Sequence, residues 1–138
     1  MPGLIPLISL SLVAASPAVP TTCAPPPLEQ LRIYEIFDSN KAAFHDRFRD
    51  HGLRIMKRYS FDVAAMWETS HNGRTELAYL LRWPDEATMK RQWAAFLADK
   101  EWIRIKKEWA AVHGKAVGEI QDRTLKRTAY SPCLTGAE

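Results

Sequence analysis

Residues 76–102 read ELAYLLRWPDEATMKRQWAAFLADKEW and hold the clearest secondary-structure signal in the chain. Their first part, Glu76–Trp83, is a short apolar and aromatic run bounded by turn residues, which is typical of a buried strand. Pro84 and Asp85 then end the strand and begin a helix, since aspartate is a favoured helix N-cap. We therefore predict a buried strand that leads directly into a helix.

The helical part of this segment carries a stripe of apolar and aromatic residues. Its spacing predicts one helix from Asp85, an interruption at Asp99–Glu101 and a second helix that ends at Gly114, a natural C-cap. A stripe of this kind is typical of a protein core rather than of a cofactor site. The residues expected on the packed side of the two helices are Met89, Trp93, Phe96, Leu97, Trp102, Ile105, Trp109 and Val112.

A β-hairpin is predicted just before this helix. Asn72-Gly73 separates two β-rich runs, and Asn-Gly is the strongest short-range hairpin signal. A two-residue turn here pairs Ser70 with Thr75, Trp67 with Ala78 and Val63 with Arg82. One face of the hairpin then carries Val63, Ala65, Trp67, Glu76, Ala78, Leu80 and Arg82. The other face is bulkier, so we expect it to pack against the helices: Ala64, Met66, Glu68, Leu77, Tyr79, Leu81 and Trp83.

The remaining segments complete one small domain. Leu31–Phe37 predicts a first strand, and Lys41–Tyr59 has the periodicity of an amphipathic helix with His51 on its buried stripe. Val117–Leu125 predicts a last strand. The element order β-α-β-β-α-(α)-β is that of an α+β, ferredoxin-like fold. Right-handed crossovers then give a four-stranded antiparallel sheet in the order 4-1-3-2.

Composition and motif content argue against several functions. The 138 residues include 19 basic and 16 acidic side chains, interleaved along the chain, for a net charge of +3. No basic run is long enough to follow a phosphate backbone, so we expect no nucleic-acid partner. The sequence has no Cys/His cluster with metal-ligand spacing and no recognisable catalytic or phosphate-binding motif. We therefore predict no metal and no cofactor, and we assign no catalytic residue.

The first 28 residues carry no charged side chain. Within them, Leu4–Ala15 is an apolar run that is typical of a secretory signal peptide and is shorter than the roughly 20 residues of a transmembrane helix. We predict a signal peptide over residues 1–18, a Pro-rich linker over 19–28, a folded domain over 29–132 and a tail over 133–138. The protein would then be exported, either to the periplasm or into the medium.

Five segments taken together resemble the NIPSNAP family of dimeric α/β-barrel proteins. They are Tyr34–Ile36, Arg47–His51, Tyr79–Leu81, Trp93–Trp102 with the pattern WxxFxxDxxW, and Tyr130–Pro132. The resemblance implies a subunit whose open sheet face packs against a second copy, so that two four-stranded sheets enclose a barrel. The face that carries Val63, Trp67 and Leu80 would otherwise stay exposed to water, which also favours a homodimer.

The residues that we expect inside such a barrel are Glu35, Trp67 and Arg82. A carboxylate is disfavoured in a helix-covered core, so we expect Glu35 on the barrel side, paired with Arg82. Three interpretations stay open. The protein could bind a small apolar molecule in a pocket lined by these three residues. It could be an interaction module whose barrel is filled by side chains such as Trp67 and Leu80. It could also be a cofactor-independent enzyme, monooxygenase-like or cyclase-like, with Glu35 as its base.

The two cysteines lie near the ends of the chain. Cys23 precedes the predicted first strand by eight residues, and Cys133 follows the predicted last strand by eight. These two strand ends are neighbours in the predicted sheet, so a Cys23–Cys133 disulfide is within reach and is expected in an oxidising compartment. Free or intermolecular thiols, or a lipid on Cys23, are the alternatives.

Overall fold

The computed structural model describes Gly3, Ala14, Ala15 and residues 28–132. The predicted signal peptide and linker lie almost entirely outside the described residues, as do Cys23 and Cys133. Export and the disulfide therefore stay predictions. Within the described part of the chain, no helix has both the length and the apolar character needed to cross a membrane.

Residues 28–132 form one antiparallel sheet with helices on one of its faces. The strands are β1 (Leu28–Ile36), β2 (Asp62–His71), β3 (Arg74–Trp83) and β4 (Val117–Leu125). The helices are α1 (Lys41–Arg47), α2 (Leu53–Arg58), α3 (Glu86–Leu97) and α4 (Lys100–His113), and a π-helical turn, Phe48–Gly52, joins α1 to α2. The strand order β2-β3-β1-β4, with every pair antiparallel, confirms the predicted α+β architecture and the 4-1-3-2 order.

Local capping interactions set the ends of α3 and α4. The side chain of Asp85 accepts a hydrogen bond from the Thr88 N–H at 2.6 Å, and α3 begins one residue later. Asp99 accepts from the Trp102 N–H at 2.8 Å in the same way. Helix α4 ends at Gly114, whose φ of 79° favours glycine. The predicted helix start, interruption and C-terminal cap are thus confirmed.

The hairpin turn is as predicted, but one of the three predicted pairs is wrong. Asn72 and Gly73 both have positive φ (51° and 72°), as a two-residue type I′ turn requires. The pairs Ser70–Thr75 and Trp67–Ala78 form. A β-bulge between Val63 and Ala65 then inserts one extra residue into β2. Asp62 therefore lies opposite Arg82, while Val63 pairs with Leu81 and packs against the core.

The core lies between the sheet and the helices, on the face that the sequence predicted. Alternate residues of β3 supply its sheet side and apolar residues of all four helices cover them. The buried members include Leu77, Tyr79, Leu81, Trp83, Phe44, Phe48, Ile55, Met56, Met89, Phe96 and Trp102. Two residues predicted on the packed side are exposed. Val112, 77% exposed, lies in the last turn of α4, where the helix extends beyond the core. Leu97 lies at the mouth of a cavity described below.

The π-helical turn changes which residue of the first helical segment is buried. A regular α-helix would bring His51 onto the packed stripe, but the π turn takes one more residue per turn. Gly52 is buried instead and faces the rings of Phe48 and Trp102, whereas His51 is exposed. The prediction of a packed His51 is therefore wrong.

Candidate functional site

Strand alternation in β1 directs a row of polar side chains toward the helices. Gln30, Arg32 and Tyr34 pair across the sheet with Leu81, Tyr79 and Leu77, all of which lie on the helix-covered face. Arg32 and Tyr34, together with residues of α1, the π turn, α2, α3, α4 and β4, border a cavity of about 290 Å³, which we call the helix-side cavity. Its aromatic lining consists of Tyr34, Phe44, Phe48, Trp93, Phe96 and Trp102, and its basic lining of Arg32, Arg47 and Lys106.

The guanidinium of Arg32 is held in place on the sheet side of the cavity. It donates to the carboxylate of Asp122 at 2.6 Å and to the hydroxyl of Tyr34 at 3.2 Å. Its carbon Cζ also lies 4.6 Å from the centre of the Trp93 ring, within the range of a cation–π interaction. The charge of Arg32 is therefore balanced by Asp122, although its buried Nε, like that of Arg47, has no hydrogen-bond partner among the described residues.

Tyr34 presents a hydroxyl to the same cavity. Its oxygen accepts from Arg32 and, at 2.7 Å, from the hydroxyl of Tyr79. Burial raises the pKa of Tyr79 well above its usual range, so this residue remains a hydrogen-bond donor. While Tyr79 donates to it, Tyr34 keeps its own hydroxyl hydrogen available. It can donate to a molecule in the cavity.

Arg47, the last residue of α1, is buried and has no charged partner among residues 28–132. Its side chain is only 8% exposed. Cζ lies 4.5 Å from the ring centre of Trp109, 5.3 Å from that of Trp102 and 5.6 Å from that of Phe44. Among residues 28–132 it forms no salt bridge, and its buried Nε has no hydrogen-bond partner. Burial lowers the pKa of Arg47.

Lys106 adds a second cation beside Arg47. Its Nζ lies 5.8 Å from the centre of the Trp102 ring, which Arg47 also contacts. Burial, and after it the charge of Arg47, lowers the pKa of Lys106. Two positive groups thus lie within 6 Å of the centre of one aromatic ring, and neither forms a salt bridge with an acidic side chain among residues 28–132. Such a site attracts an anion.

The residues that the sequence proposed for a pocket lie elsewhere and apart. Glu35, Trp67 and Arg82 are on the sheet face opposite the helices, which we call the open face. Glu35 lies opposite Glu76, and Arg82 lies opposite Glu29. Arg82 lies six positions after Glu76 in β3, and each position advances about 3.4 Å, so Glu35 and Arg82 are about 20 Å apart along the sheet. The predicted Glu35–Arg82 pair is therefore wrong, and the three residues do not form one pocket within a subunit.

Glu35 instead supports the irregular pairing of β1 with β4. Its Oε2 accepts a hydrogen bond from the Glu119 N–H at 3.0 Å, next to a register shift between Tyr34 and Ile36. A Cβ on Gly118 would overlap Oε2 of Glu35, so glycine leaves the space that the carboxylate fills. Arg74 lies 3.6 Å away. These contacts favour a structural role for Glu35.

The sequence contained signals for the helix-side cavity that our prediction did not use. Once Leu31, Ile33 and Glu35 are assigned to the open face, alternation directs Arg32 toward the helices. Lys106 follows Trp102 by one helical turn, and Arg47 follows Phe44 by three residues, so both lie beside the predicted stripes.

No group of acidic, histidine or cysteine residues in the described part of the chain is arranged to hold a metal ion.

Solved structures with the same architecture place the chain among ferredoxin-like α+β proteins. An uncharacterized NIPSNAP-like domain protein from Burkholderia xenovorans matches with a TM-score of 0.62 at 20% identity, covering 78% of this chain and 90% of that one. A NIPSNAP family protein of unknown function from Agrobacterium tumefaciens gives 0.64 at 14% identity, with coverages of 76% and 91%. A Streptomyces coelicolor monooxygenase in complex with nanaomycin D gives 0.50 at 8% identity, with coverages of 78% and 93%. Identities this low show the fold alone.

The family itself follows from the sequence. The NIPSNAP family model matches residues 29–132. The chain therefore belongs to the NIPSNAP family, as its five segments predicted. No curated protein gave a significant match.

Proposed function

We propose that this protein is an exported homodimer that binds one small, mainly apolar molecule in the helix-side cavity of each subunit. The observation that carries the proposal is the cavity lining, which is largely aromatic and includes a few well-positioned polar groups. Such a lining is typical of small-molecule sites. At about 290 Å³ the cavity suits a molecule of one or two rings. The S. coelicolor monooxygenase, which shares the fold, was solved in complex with nanaomycin D, so the fold is compatible with a small-molecule ligand.

This proposal differs from the sequence-based one in the position of the ligand. The barrel-side candidates Glu35 and Arg82 are at opposite ends of the open face. Glu35 is also engaged by the Glu119 N–H and lies against Gly118. An enzyme that uses Glu35 as its base is disfavoured for the same reason, since its carboxylate is already occupied.

Blocking the mouth of the helix-side cavity should abolish most of the binding. Leu97 lies at that mouth, and we expect Leu97→Trp to weaken binding of 2-naphthol at least about tenfold, because the larger ring overpacks the entrance. Ile103→Trp is the matched control, since Ile103 is a similarly exposed apolar residue on α4 and does not line the cavity. Ligand-observed NMR of the purified protein provides the affinities. Equal binding by the wild type and Leu97→Trp would contradict the proposed position of the ligand.

The homodimer is proposed because the open face exposes apolar side chains that the helices do not cover. Leu31, Ile33, Ala78 and Leu80 occupy its centre, and Trp67, 51% exposed, flanks them on β2. Apolar side chains grouped in this way on a sheet favour association with a second copy. Side chains such as Trp67 and Leu80 would then fill the interior of the shared barrel, which is the feature of the interaction-module interpretation that this proposal retains.

A charge at the centre of the open face should separate the subunits. We expect Leu80→Asp to weaken dimerisation at least about 100-fold, because each copy would bury a carboxylate without a partner. Ile103→Asp, on the outer surface of α4, should leave the dimer unchanged. Sedimentation velocity over a concentration series measures this, with circular dichroism to show that the variant is folded. A wild-type protein that stays monomeric at high concentration would disprove the dimer.

The proposal of export is supported by the apolar run Leu4–Ala15 and the lack of charge around it.

The proposal of a Cys23–Cys133 disulfide is supported by the antiparallel pairing of β1 with β4, in which Glu29 lies opposite Leu125. The chain segments that lead to Cys23 and Cys133 therefore leave from the same end of the sheet. Intact mass spectrometry without reductant, on protein expressed with its leader, reports cleavage, lipidation and the disulfide together.

A further inference from the structure

The helix-side cavity contains two kinds of cation. Arg32 has its own carboxylate, since Asp122 accepts from it at 2.6 Å. Arg47 and Lys106 have none among the described residues, although Arg47 is more than nine-tenths buried. Burying a charge is costly unless an opposite charge or hydrogen-bond acceptors compensate for it. The rings of Trp102, Trp109 and Phe44 supply cation–π attraction, but they leave the buried Nε of Arg47 without an acceptor.

None of the acidic side chains of α1, the π turn and α4 forms a salt bridge with Arg47 or Lys106, because each lies against another arginine. Asp46 and Asp50 pair with Arg49, Glu101 pairs with Arg54 and Arg58, and Glu108 pairs with Arg104. The four carboxylates line a second pocket between α1 and α4, and Arg47 lies between that pocket and the helix-side cavity. Arg47 and Lys106 therefore have no ion-pair partner among residues 28–132, although acidic groups lie nearby.

We propose that the molecule bound in the helix-side cavity is a small aromatic carboxylic acid, whose carboxylate is held by Arg47 and Lys106 and whose rings pack among the aromatic side chains. This inference rests on the proposed binding function and adds the chemical class of the ligand. The planar guanidinium of an arginine matches the two oxygens of a carboxylate, and a lysine adds a point charge. A monoanion with one or two rings agrees with the cavity volume of about 290 Å³. The Tyr34 hydroxyl, on the sheet side, can donate to a second polar group of the ligand.

The test compares two ligands of the same shape that differ in charge. Isothermal titration calorimetry on the purified protein at neutral pH measures the affinity for 2-naphthoate and for its neutral amide, 2-naphthamide. We expect the wild type to bind the acid at least about tenfold more tightly. Arg47→Met should remove most of this preference and leave the affinity for the amide within about threefold. Lys106→Met should reduce the preference by a smaller factor.

Two controls keep the result interpretable. Arg104→Met removes an exposed arginine of α4 that is paired with Glu108, and it should change neither affinity. Thermal melts establish that each variant is folded. Lys106→Met is the second variant if Arg47→Met does not fold, because Lys106 is less buried.

The outcomes separate the inference from the function on which it rests. Equal affinity for acid and amide in the wild type, or a preference that survives both Arg47→Met and Lys106→Met, would overturn the carboxylate site and leave the binding function standing. If 2-naphthoate, 2-naphthamide and 2-naphthol all fail to bind, the cavity is not a site for small aromatic molecules and both proposals are wrong.

Discussion

Asp99→Ala should lower the free energy of unfolding by about 3 kcal/mol, because one buried carboxylate supplies three interactions. Its oxygens accept from the Tyr59 hydroxyl at 2.7 Å, from Arg58 at 2.8 Å and from the Trp102 N–H at 2.8 Å. The side chain of Asp99 is 7% exposed, so water cannot replace these bonds easily. The substitution removes the N-cap of α4 and the link between α2 and α4 together.

The matched control for this prediction is Asp85→Ala. Asp85 caps α3 through local hydrogen bonds such as that from the Thr88 N–H, and it is exposed, so its loss should lower the free energy of unfolding by clearly less. Urea denaturation of both variants measures the two differences. Equal losses would mean that Asp99 acts only as a helix cap and that its bonds to Tyr59 and Arg58 do not contribute.

The contribution of Asp99 should also depend on pH. Hydrogen bonds from the Tyr59 hydroxyl and the Trp102 N–H, together with Arg58, lower its pKa to about 2, from an ordinary value of 3.8. Because the folded-state pKa is the lower one, the stabilisation is complete above the ordinary value and is lost as the pH falls through the folded-state pKa. The stability difference between the wild type and Asp99→Asn should therefore shrink between about pH 5 and pH 2.

Gln30→Leu should lower the free energy of unfolding by about 3 kcal/mol, although it hardly changes the volume of the side chain. Gln30 is 1% exposed, and its Oε1 accepts from the indole N–H groups of Trp83 at 3.0 Å and Trp93 at 2.8 Å. Its Nε2 donates to Asp122 at 2.8 Å. Leucine can replace none of these bonds, and the buried indole N–H of Trp83 would be left unpaired.

Gln121→Leu is the control on the neighbouring strand, where the amide oxygen accepts one exposed bond from Arg123. It should change the stability by no more than about 0.5 kcal/mol. Urea denaturation measures both changes, and near-ultraviolet circular dichroism reports the environment of the tryptophans. A Gln30→Leu protein with wild-type stability would show that the indole hydrogen bonds make no net contribution to the free energy of unfolding.

Two kinds of sequence signal predicted the fold correctly. The Asn72-Gly73 turn, the Asp85 cap and the Gly114 terminus were predicted correctly, because each depends on the conformational preference of one or two residues. The strand order was also correct, because crossover handedness and strand count leave few topologies for this element order. Family membership followed from the spacing of five segments.

The errors arose where a single inserted residue changed a regular repeat. The bulge after Val63 moved Asp62 opposite Arg82, and the π turn exposed His51 and buried Gly52. Both features insert one residue into an otherwise regular element, and periodicity alone cannot locate such an insertion. The prediction of a Glu35–Arg82 pair was wrong for a related reason. No turn joins β1 directly to β3, so the sequence does not set the register between these two strands.

Local conformational preferences and the spacing of apolar residues were enough to predict the elements, their order and the family. The candidate site, in contrast, depends on tertiary packing. Arg47 lies on α1, whereas Trp102 and Lys106 lie on α4. More than 50 residues of the sequence separate Arg47 from Lys106. Their meeting depends on how the two helices pack across the sheet and on the π turn that precedes α2. The lack of an ion-pair partner for Arg47 and Lys106 among the described residues therefore follows from how the helices pack. No single segment of the sequence predicts it.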